Sequence, residues 1–387
     1  MTDKFPRVIL SIRHYYPDGG GAEVLAHRLA AALINRGFLL EVLTGRYGRG
    51  RGVEIVEGVP VRRHFVGVYV PVLHEICYLV SLAWQLIIRR HAYDIVHVFQ
   101  THLSAFVAAV TAKRFGKKVV VTSHGAGQSG DMAVWARLPM GKRLLETICS
   151  RADAATAVSR DVMEELHQAG FSPTQVRYIP NGVSAKPGEQ GDKAALRSML
   201  GLPQKAFVTV FVGRLTAEKA PELLLDAWSR MDGINDGTCV LRRLVLIGEG
   251  EKRTVLTGRI REAGLEGAVT LTGHVDNVED YLRAADAFVL PSVTEGMSLA
   301  LLEAMSAGLP VVASGVSGTV DIVRDGENGL LFDRGDTDGL VRCLNALVAS
   351  GTLRRELGER ARETVKRHFS LDNTVESYLS LYQSIMS

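Results

Sequence analysis

The stretch "FVTVFVGRLTAEKAPELLLDAW", Phe207 to Trp228, contains one complete strand–turn–helix unit. It opens with a continuous apolar, β-branched run, which is typical of a parallel strand buried on both faces. The polar turn "GRLTAEK" follows, and Pro221 then marks the first turn of a helix. A strand that passes through a short turn into a helix is the repeating unit of a doubly wound α/β sheet.

The same alternation extends along the chain in both directions from this unit. The predicted strands are "RVILS", "LLEVLT", "DIVHVF", "KKVVVTS", "DAATAVS" and "VRYIP" in the first half, and "FVTVFVG", "RLVLIG", "AVTLTG", "AFVLP" and "PVVAS" in the second. The polar segment "SAKPGEQGDKAA" separates the two series and is typical of a linker. We therefore expect two doubly wound parallel-sheet domains, at residues 1–184 and 185–370, with a last helix at about 371–387 that packs back onto the first. Ligands of such sheets bind beyond the carboxyl ends of the strands, so the expected site is a cleft between the domains.

The composition is that of a globular protein with a substantial core, since 47% of the residues are hydrophobic and 22% are charged. The net charge of +3 conceals a basic first half, because residues 1–184 carry 22 Lys and Arg against 14 Asp and Glu. A basic half suits an acidic substrate or an anionic membrane surface. Nucleic acid is disfavoured as a partner, because the sequence has no basic stripe with interleaved aromatic residues.

The sequence shows no sign of a secreted or membrane-spanning protein. The start "MTDKFPRVIL" has too short an apolar stretch for a signal peptide, and no apolar run reaches the roughly 20 residues that span a bilayer. The most apolar run, Tyr78–Ile88, is predicted to be a buried helix. The four cysteines lie too far apart for a zinc knuckle or a disulfide framework, which favours a reducing cytoplasm; they are Cys77, Cys149, Cys239 and Cys343.

Two motifs of the first half follow predicted strands. Gly20 and Gly21, in "HYYPDGGGAE", would let the backbone approach a bulky anion, although a flexible loop before a helix cap is the alternative. His124 follows the strand "KKVVVTS" and is well placed for chemistry or ligand contact, with a satisfied core histidine as the alternative. His97, inside a predicted strand, fits the structural role better.

Two motifs of the second half carry charge to the same edge of the predicted sheet. Arg214 and Lys219 flank the turn before the helix at Pro221, where two cations would suit a diphosphate; solvated surface charge is the alternative. In "VTEGMSLALLEAMSAGLPVVAS", Val293 to Ser314, the carboxylates Glu295 and Glu303 stand in an otherwise apolar stretch. Such carboxylates can accept hydrogen bonds from the hydroxyls of a polyol, or they can simply tie the loop to the helix.

Together these motifs resemble one family. The E-x7-E spacing of Glu295 and Glu303, followed by "EAMSAGLPVVAS", is similar to that of the retaining, nucleotide-sugar-dependent glycosyltransferases with the GT-B fold. Further motifs match this family in order, namely "IPNGV", "GRLTAEK", "LIGEGE", "LTGHV", "DAFVLPS" and "ENGLLF". The resemblance covers essentially the whole chain and is densest from Ala206 to Phe332. It implies an α/β GT-B fold with two Rossmann-like domains facing across a cleft.

The resemblance also implies a role for each matching residue. Glu295 would bind the transferred sugar, Glu303 the ribose, and Arg214 and Lys219 the diphosphate, while His124 would approach the sugar. The further donor-binding positions are Gly20, Gly21, Gly213, Val275, Ser298 and Leu299. The chain departs from the family pattern at Ser298 and at Ala220, where glycine is usual. These departures bear on the identity of the sugar more than on activity.

The expected activity is transfer of a hexosyl unit from a nucleotide diphosphate sugar, with uridine favoured, to a glycan or lipid-linked acceptor. No metal or other cofactor is expected, because Asp336–Asp338, "DTD", has the pattern of a helix N-cap rather than that of a metal site. Contact with an anionic membrane is expected through Arg137, Lys142 and Arg143, on the inner face of the plasma membrane, with an ordinary surface helix that has basic faces as the alternative. A sugar-nucleotide-binding protein without turnover is the alternative. An NAD-dependent oxidoreductase is disfavoured, because the G-x-G-x-x-G fingerprint is missing.

Overall fold

The computed structural model describes residues 5–17, 19–46, 52–66, 71–127, 130–184, 192–231 and 241–387, with the backbone alone at 71 and 72. The chain divides into two compact units. The first comprises residues 1–182 and 371–387, and the second comprises residues 183–370. Cys239 lies outside the described residues, and Cys77, Cys149 and Cys343 are free thiols.

The first unit is built on an eight-stranded sheet. Its strands are β1 (Val8–Ser11), β2 (Leu40–Gly45), β3 (Val53–Val56), β4 (Val59–His64), β5 (Ile95–Phe99), β6 (Lys118–Ser123), β7 (Ala154–Ala157) and β8 (Val176–Tyr178). Their order is β3-β4-β2-β1-β5-β6-β7-β8, and every neighbouring pair is parallel except β3–β4. The six predicted strands are all present. The β3–β4 hairpin was not predicted, because its half-exposed edge strand has a mixed polar and apolar pattern.

Helices follow most of these strands. They are α1 (Gly21–Asn35), α2 (Pro71–Ile88), α3 (Leu103–Lys113), α4 (Asp131–Arg137), α5 (Gly141–Arg151) and α6 (Arg160–Gln168). On α2, Tyr78, Leu82 and Leu86 are buried, but Trp84 is 60% exposed and Ile88 is 48% exposed. The prediction of a fully buried helix at Tyr78–Ile88 is therefore wrong for one of its faces. An apolar run without polar interruptions cannot show which of its sides is covered.

The second unit is built on a six-stranded parallel sheet of order β11-β10-β9-β12-β13-β14. The strands are β9 (Phe207–Val212), β10 (Arg242–Ile247), β11 (Val269–Gly273), β12 (Ala287–Leu290), β13 (Val311–Ser314) and β14 (Leu330–Phe332). The helices are α7 (Lys193–Met199), α8 (Pro221–Arg230), α9 (Arg253–Glu262), α10 (Val278–Ala284), α11 (Leu299–Ser306), α12 (Ser317–Val320), α13 (Thr337–Ala349) and α14 (Gly351–His368). The five predicted strands are present, and the three-residue β14 was not predicted.

The last helix, α15 (Leu371–Met386), belongs to the first unit and is held there by buried polar contacts. His97 on β5 contacts the Tyr382 hydroxyl through Nδ1 at 2.7 Å and the Thr122 hydroxyl through Nε2 at 2.6 Å. Tyr378 lies 3.3 Å from the Thr122 and Thr156 hydroxyls. Burial lowers the pKa of His97 to about 3, so the ring is neutral and serves the structural role predicted for it.

Removing the Tyr382 hydroxyl should loosen α15. Tyr382→Phe leaves His97 Nδ1 buried without its partner, which should cost about 1–3 kcal/mol of stability. We expect a lower urea midpoint and faster hydrogen exchange of the α15 amides. Tyr281→Phe, at a half-buried tyrosine of the second unit, is the control and should leave both quantities unchanged. Equal protection of α15 in the two variants would show that the contact with His97 does not hold the helix.

Candidate active site

The centre of the site in the second unit is a buried ion pair between the loops that follow two neighbouring strands. Lys219, after β9, places Nζ 2.5 Å from Oε1 of Glu295, after β12. The same oxygen accepts a hydrogen bond from the Ser292 hydroxyl at 2.6 Å. The side chains of Lys219 and Glu295 are 18% and 5% exposed, so removing either charge would leave the other largely buried without its partner.

The turn that carries Lys219 is fixed by backbone hydrogen bonds to its neighbours. The Leu215 amide donates to the Glu249 carbonyl at 2.8 Å, and the Val293 amide donates to the Glu218 carbonyl at 2.7 Å. These hydrogen bonds connect the loop after β9 to the loops after β10 and β12. Arg214 lies in the same turn, but its side chain is 68% exposed and its ion pair with Glu218 is 3.4 Å long.

Two glycines that the sequence analysis did not single out allow these loops to approach closely. A Cβ atom at Gly318 would lie 1.6 Å from the Gly296 carbonyl oxygen, and one at Gly248 would lie 2.0 Å from that of Gly213. Gly318 also donates its amide to the Glu295 carbonyl at 3.3 Å. Glycine is thus required at position 318 for the Glu295 loop to take this position.

The backbone conformation of Ala220 explains why glycine is usual at this position, directly after Lys219. Ala220 is the N-cap of α8 and has the left-handed conformation, with φ 46° and ψ 49°. This region costs a residue with a Cβ atom roughly 1–2 kcal/mol, whereas glycine enters it freely. The departure therefore affects the backbone conformation before α8.

Replacing Ala220 with glycine should stabilise the protein. The strain relieved exceeds the extra chain entropy that glycine loses on folding, so we expect a gain of about 0.5–1 kcal/mol. Ala217→Gly, in the same turn but without a positive φ, is the matched control and should destabilise by about 0.4–1 kcal/mol. Thermal unfolding of both variants measures the difference. A fall in melting temperature for both would contradict the strain at Ala220.

The N-terminus of α11 completes this part of the second unit. Ser298 is its N-cap, with the hydroxyl accepting the Leu301 amide at 3.3 Å, so the serine that departs from the family pattern is used as a cap. The first amides of the helix, that of Leu299 among them, have no acceptor within the helix. Glu303 lies one turn beyond Leu299 and is half-buried. The ligand roles of Glu295 and Glu303 stay predictions.

The remaining predicted positions of this unit lie after neighbouring strands of the sheet. Gly213 follows β9, and its amide donates to the Ile247 carbonyl at 3.0 Å. Val275 follows β11 and is half-buried beside the exposed His274. Since β9, β10, β11 and β12 are parallel neighbours, the predicted positions of this unit share the carboxyl edge of the sheet.

His124 in the first unit is held by a carboxylate that the sequence analysis missed. Its backbone amide donates to Asp131 Oδ2 at 2.7 Å, and His102 Nε2 lies 3.1 Å from Asp131 Oδ1. Burial alone would raise the pKa of Asp131, but the hydrogen bond with His102 and nearby positive charge hold it below its usual value. An acidic residue in the first turn of a helix is common, so nothing in the sequence distinguished Asp131.

The His124 ring itself is neutral. Burial lowers its pKa, and the charge of Asp131 offsets this only in part. The ring lies beside Phe99, with centroids 5.2 Å apart, and Nε2 is buried with no hydrogen-bond partner among the described residues. A neutral imidazole with one such nitrogen can donate or accept a single hydrogen bond.

Gly20 and Gly21 stand at the start of α1. Gly20 is the N-cap, and its amide donates to Glu23 Oε2 at 2.7 Å. Both glycines are exposed, and Asp18 lies outside the described residues. The cap that formed the alternative interpretation is therefore present. Ligand contact at Gly20 and Gly21 stays a prediction.

Comparison with known proteins agrees with this geometry. The family model described as "Glycosyl transferases group 1" matches residues 192–364, and that of "Glycosyltransferase Family 4" matches residues 19–186. A D-inositol 3-phosphate glycosyltransferase of Acidothermus cellulolyticus is 30% identical over 96% of this chain and 87% of its own. The chain belongs to the group 1 glycosyl transferases.

Two further comparisons give a relative of half the chain and a solved structure with the same fold. The lipopolysaccharide core biosynthesis glycosyltransferase LpsE of Rhizobium meliloti is 35% identical over 49% of this chain and 53% of its own. The structure of Anabaena HepE in complex with UDP and glucose aligns with a TM-score of 0.82 at 20% identity, over 98% of this chain and all of that one. The predicted GT-B fold, with two parallel-sheet α/β domains, is thereby confirmed.

The acidic "DTD" segment of this glycosyltransferase is a helix cap, as predicted. Asp336 caps α13 by accepting the Gly339 amide at 2.9 Å, and Asp338 lies 3.4 Å from Arg230. Among the residues that the structure describes, no group of three His, Cys, Asp or Glu side chains could hold a metal ion. Nor is any helix among the described residues long and apolar enough to cross a bilayer.

The basic segment predicted to contact a membrane is only partly suited to it. Arg137, Lys142 and Arg143 are exposed, as such contact requires. Trp135, the main apolar residue of that segment, is instead buried, and its indole Nε1 donates to the Thr101 carbonyl at 2.7 Å. Since Trp135 cannot reach a bilayer, Met140, which is 65% exposed, is the main apolar residue that this segment could offer beside its three cations.

Proposed function

We propose that this glycosyltransferase moves a hexosyl unit from a UDP-sugar to a glycan or lipid-linked acceptor of cell-surface polysaccharide or glycolipid synthesis, with retention of the anomeric configuration and without a metal. The observation that carries the proposal is the buried Lys219–Glu295 pair beside the N-terminus of α11. An ammonium group and free helix amides suit a diphosphate, and a carboxylate suits the hydroxyls of a sugar.

The proposed reaction breaks the bond between the anomeric carbon and the β-phosphate oxygen. The acceptor oxygen forms its bond on the same face of the sugar, and its proton passes to the leaving phosphate. Lys219, Arg214 and the first amides of α11 would stabilise the developing charge of the diphosphate, which should be the largest contribution to the rate. Glu295 would position the sugar, and neutral His124 would offer a hydrogen bond to it.

The choice of donor and acceptor rests on the relatives. HepE has been solved with UDP and glucose, and LpsE takes part in synthesis of the lipopolysaccharide core. These names favour a uridine donor and a glycan or lipid-linked acceptor. We place the protein in the cytoplasm, with peripheral contact to the anionic inner face of the plasma membrane.

The test combines UDP- and GDP-hexoses with membrane-lipid and glycan acceptors. Chromatography measures release of the nucleoside diphosphate, and proton NMR of the product gives the anomeric configuration. We expect UDP release that depends on the acceptor, with an axial donor linkage preserved in the product. Release from GDP-sugars alone would refute the uridine donor, and an inverted product would refute retention. Donor binding without turnover for any acceptor would indicate a binding protein.

Chelation should leave the reaction intact. Because Lys219 and Arg214 would supply the positive charge opposite the diphosphate, we expect kcat to change less than about twofold in excess EDTA. The measurement is the initial rate before and after chelation, with magnesium or manganese added back as the control. Loss of activity in EDTA followed by recovery with manganese would contradict the proposal.

A further inference from the structure

The helix α2 carries an exposed row of large apolar side chains, which we call the α2 face. Its members are Leu73, Ile76, Val80, Trp84 and Ile88, with exposures of 47%, 51%, 63%, 60% and 48%. Steps of three and four residues place them on one side of the helix. At 1.5 Å per residue the row is about 22 Å long.

The opposite side of α2 packs into the core of the first unit. Tyr78, Leu82 and Leu86 are at most 1% exposed, and the Tyr78 ring stacks on His64 of β4 with centroids 5.1 Å apart. The residues of the α2 face are therefore not needed to form the core. Soluble proteins seldom expose a continuous apolar row of this length without a partner for it.

The neighbouring helix extends the apolar surface. The helix α3 packs beside α2 and has no charged side chain before Lys113. Phe106, Val107 and Val110 of α3 are half-buried. The solvent side of this helix layer is thus apolar over more than one helix.

Positive charge lies at the end of this surface. After Ile88 the chain continues with Arg89, Arg90 and His91, and α3 continues into Arg114. Arg89 is paired with Glu41, whereas His91 and Arg114 are exposed. Residues 1–184 carry eight positive charges in excess. A protein partner on the α2 face would need only apolar contact. An apolar surface with positive charge at its end instead matches the acyl and anionic headgroup regions of a bilayer.

We propose that the α2 face docks on an anionic lipid bilayer, with Trp84 at its centre inserted among the headgroups. This refines the membrane contact of the proposed function, since it assigns the apolar contact to α2 and not to the segment of Arg137, Lys142 and Arg143. The occupant is a membrane surface, and a second copy of the chain or another protein is the competing outcome. Tryptophan suits the boundary because its ring is apolar and its indole N–H is polar.

The emission of Trp84 reports docking directly. The chain has three tryptophans, and Trp135 and Trp228 are 2% and 3% exposed, so Trp84 dominates any change on binding. Vesicles of phosphatidylglycerol and phosphatidylcholine should shift the emission to shorter wavelength. Pure phosphatidylcholine should do so much less, and salt should weaken the effect of the anionic vesicles. The variant Trp84→Phe should lose the shift. An unchanged shift in that variant would overturn the proposal.

Co-sedimentation with the same vesicles separates the α2 face from the basic segment. The triple variant Ile76→Ser, Val80→Ser, Trp84→Ser should lower the partition coefficient at least about tenfold, because three exposed apolar side chains are removed. The matched control, Met199→Ser, Leu241→Ser, Val255→Ser, removes exposed apolar side chains of the second unit and should bind like the parent. Melting temperatures show that both variants are folded.

Each outcome decides between the alternatives. Equal binding of parent and triple variant overturns the role of α2 while leaving a membrane contact elsewhere. If the parent protein does not bind the vesicles, both the role of α2 and the membrane contact itself are wrong. Sugar transfer to a soluble acceptor then still tests the proposed reaction. A parent dimer in sedimentation velocity that the triple variant loses, together with weak vesicle binding, would instead assign the face to a second copy.

Discussion

Glu295→Gln is expected to lower kcat by roughly ten- to a hundredfold while leaving the affinity for free UDP almost unchanged. The substitution removes the charge that Lys219 now faces at 2.5 Å, so the ammonium group stays available to a diphosphate. If Glu295 binds the sugar, its charge-assisted hydrogen bonds to the sugar hydroxyls are weakened, and these bonds matter most as the ring distorts towards the transition state. Stability should also fall, because one partner of a buried pair becomes neutral.

Glu303→Gln is expected to show the opposite kinetic pattern. If Glu303 binds the ribose, the contact exists in the ground state and the transition state alike, so the donor KM should rise with little change in kcat. Binding of free UDP should weaken by roughly ten- to a hundredfold, which corresponds to one charge-assisted hydrogen bond. The melting temperature should change less than in Glu295→Gln, because Glu303 is half-buried on α11.

Calorimetric titration with UDP, kcat and KM measurements, and melting temperatures of both variants separate these roles. If the acids only tie the loop to the helix, both variants lose stability and neither separates binding from turnover. Equal loss of UDP affinity in the two variants would show that the roles assigned to Glu295 and Glu303 are wrong.

The parts of this fold that depend on local pattern could be predicted from the sequence. All eleven predicted strands are present and pair in parallel. Most of them are buried apolar runs that contrast with the polar turns beside them, whereas the edge strands β8 and β11 are only partly buried. The β3–β4 hairpin and the three-residue β14 lack that contrast, and they were missed. The exposed side of α2 could not be predicted either, because both the core side and the solvent side of this helix consist of large apolar residues.

The contacts that organise the candidate site depend on the folded chain and not on a local sequence pattern. Glu295 was singled out as a charge in an apolar stretch, but its partner Lys219 lies 76 positions away. Asp131 reaches the backbone of His124 only because α4 begins beside the end of β6. Ala220 was noted as a departure from the family pattern, and its positive φ, which gives the departure its meaning, is a property of the folded turn.

Among single substitutions, one at Gly318 is expected to have the largest effect on kcat/KM. The position of Gly318 in the sequence "GVSGT" gives no sign of this, because the constraint comes from the loop at Gly296. An added Cβ would lie 1.6 Å from the Gly296 carbonyl oxygen and 3.0 Å from the Met297 amide nitrogen. Backbone atoms cannot rotate away as a side chain would, so the loop itself has to move by more than an ångström.

Gly318→Ala should therefore lower kcat/KM by about a hundredfold or more and destabilise the protein by about 1–3 kcal/mol. The displaced loop carries Glu295, whose carboxylate must stay within reach of Lys219 and Ser292. Gly258→Ala is the matched control, since no atom beyond the adjoining residues and the local helix backbone lies within 4 Å of the added Cβ on the exposed face of α9. Alanine there should stabilise the helix by up to about 1 kcal/mol and leave activity unchanged. Steady-state kinetics and thermal unfolding of the two variants give the comparison. If Gly318→Ala retained parental kcat/KM, transfer would not depend on the position of the Glu295 loop, and the assignment of Glu295 to the sugar would have to be abandoned.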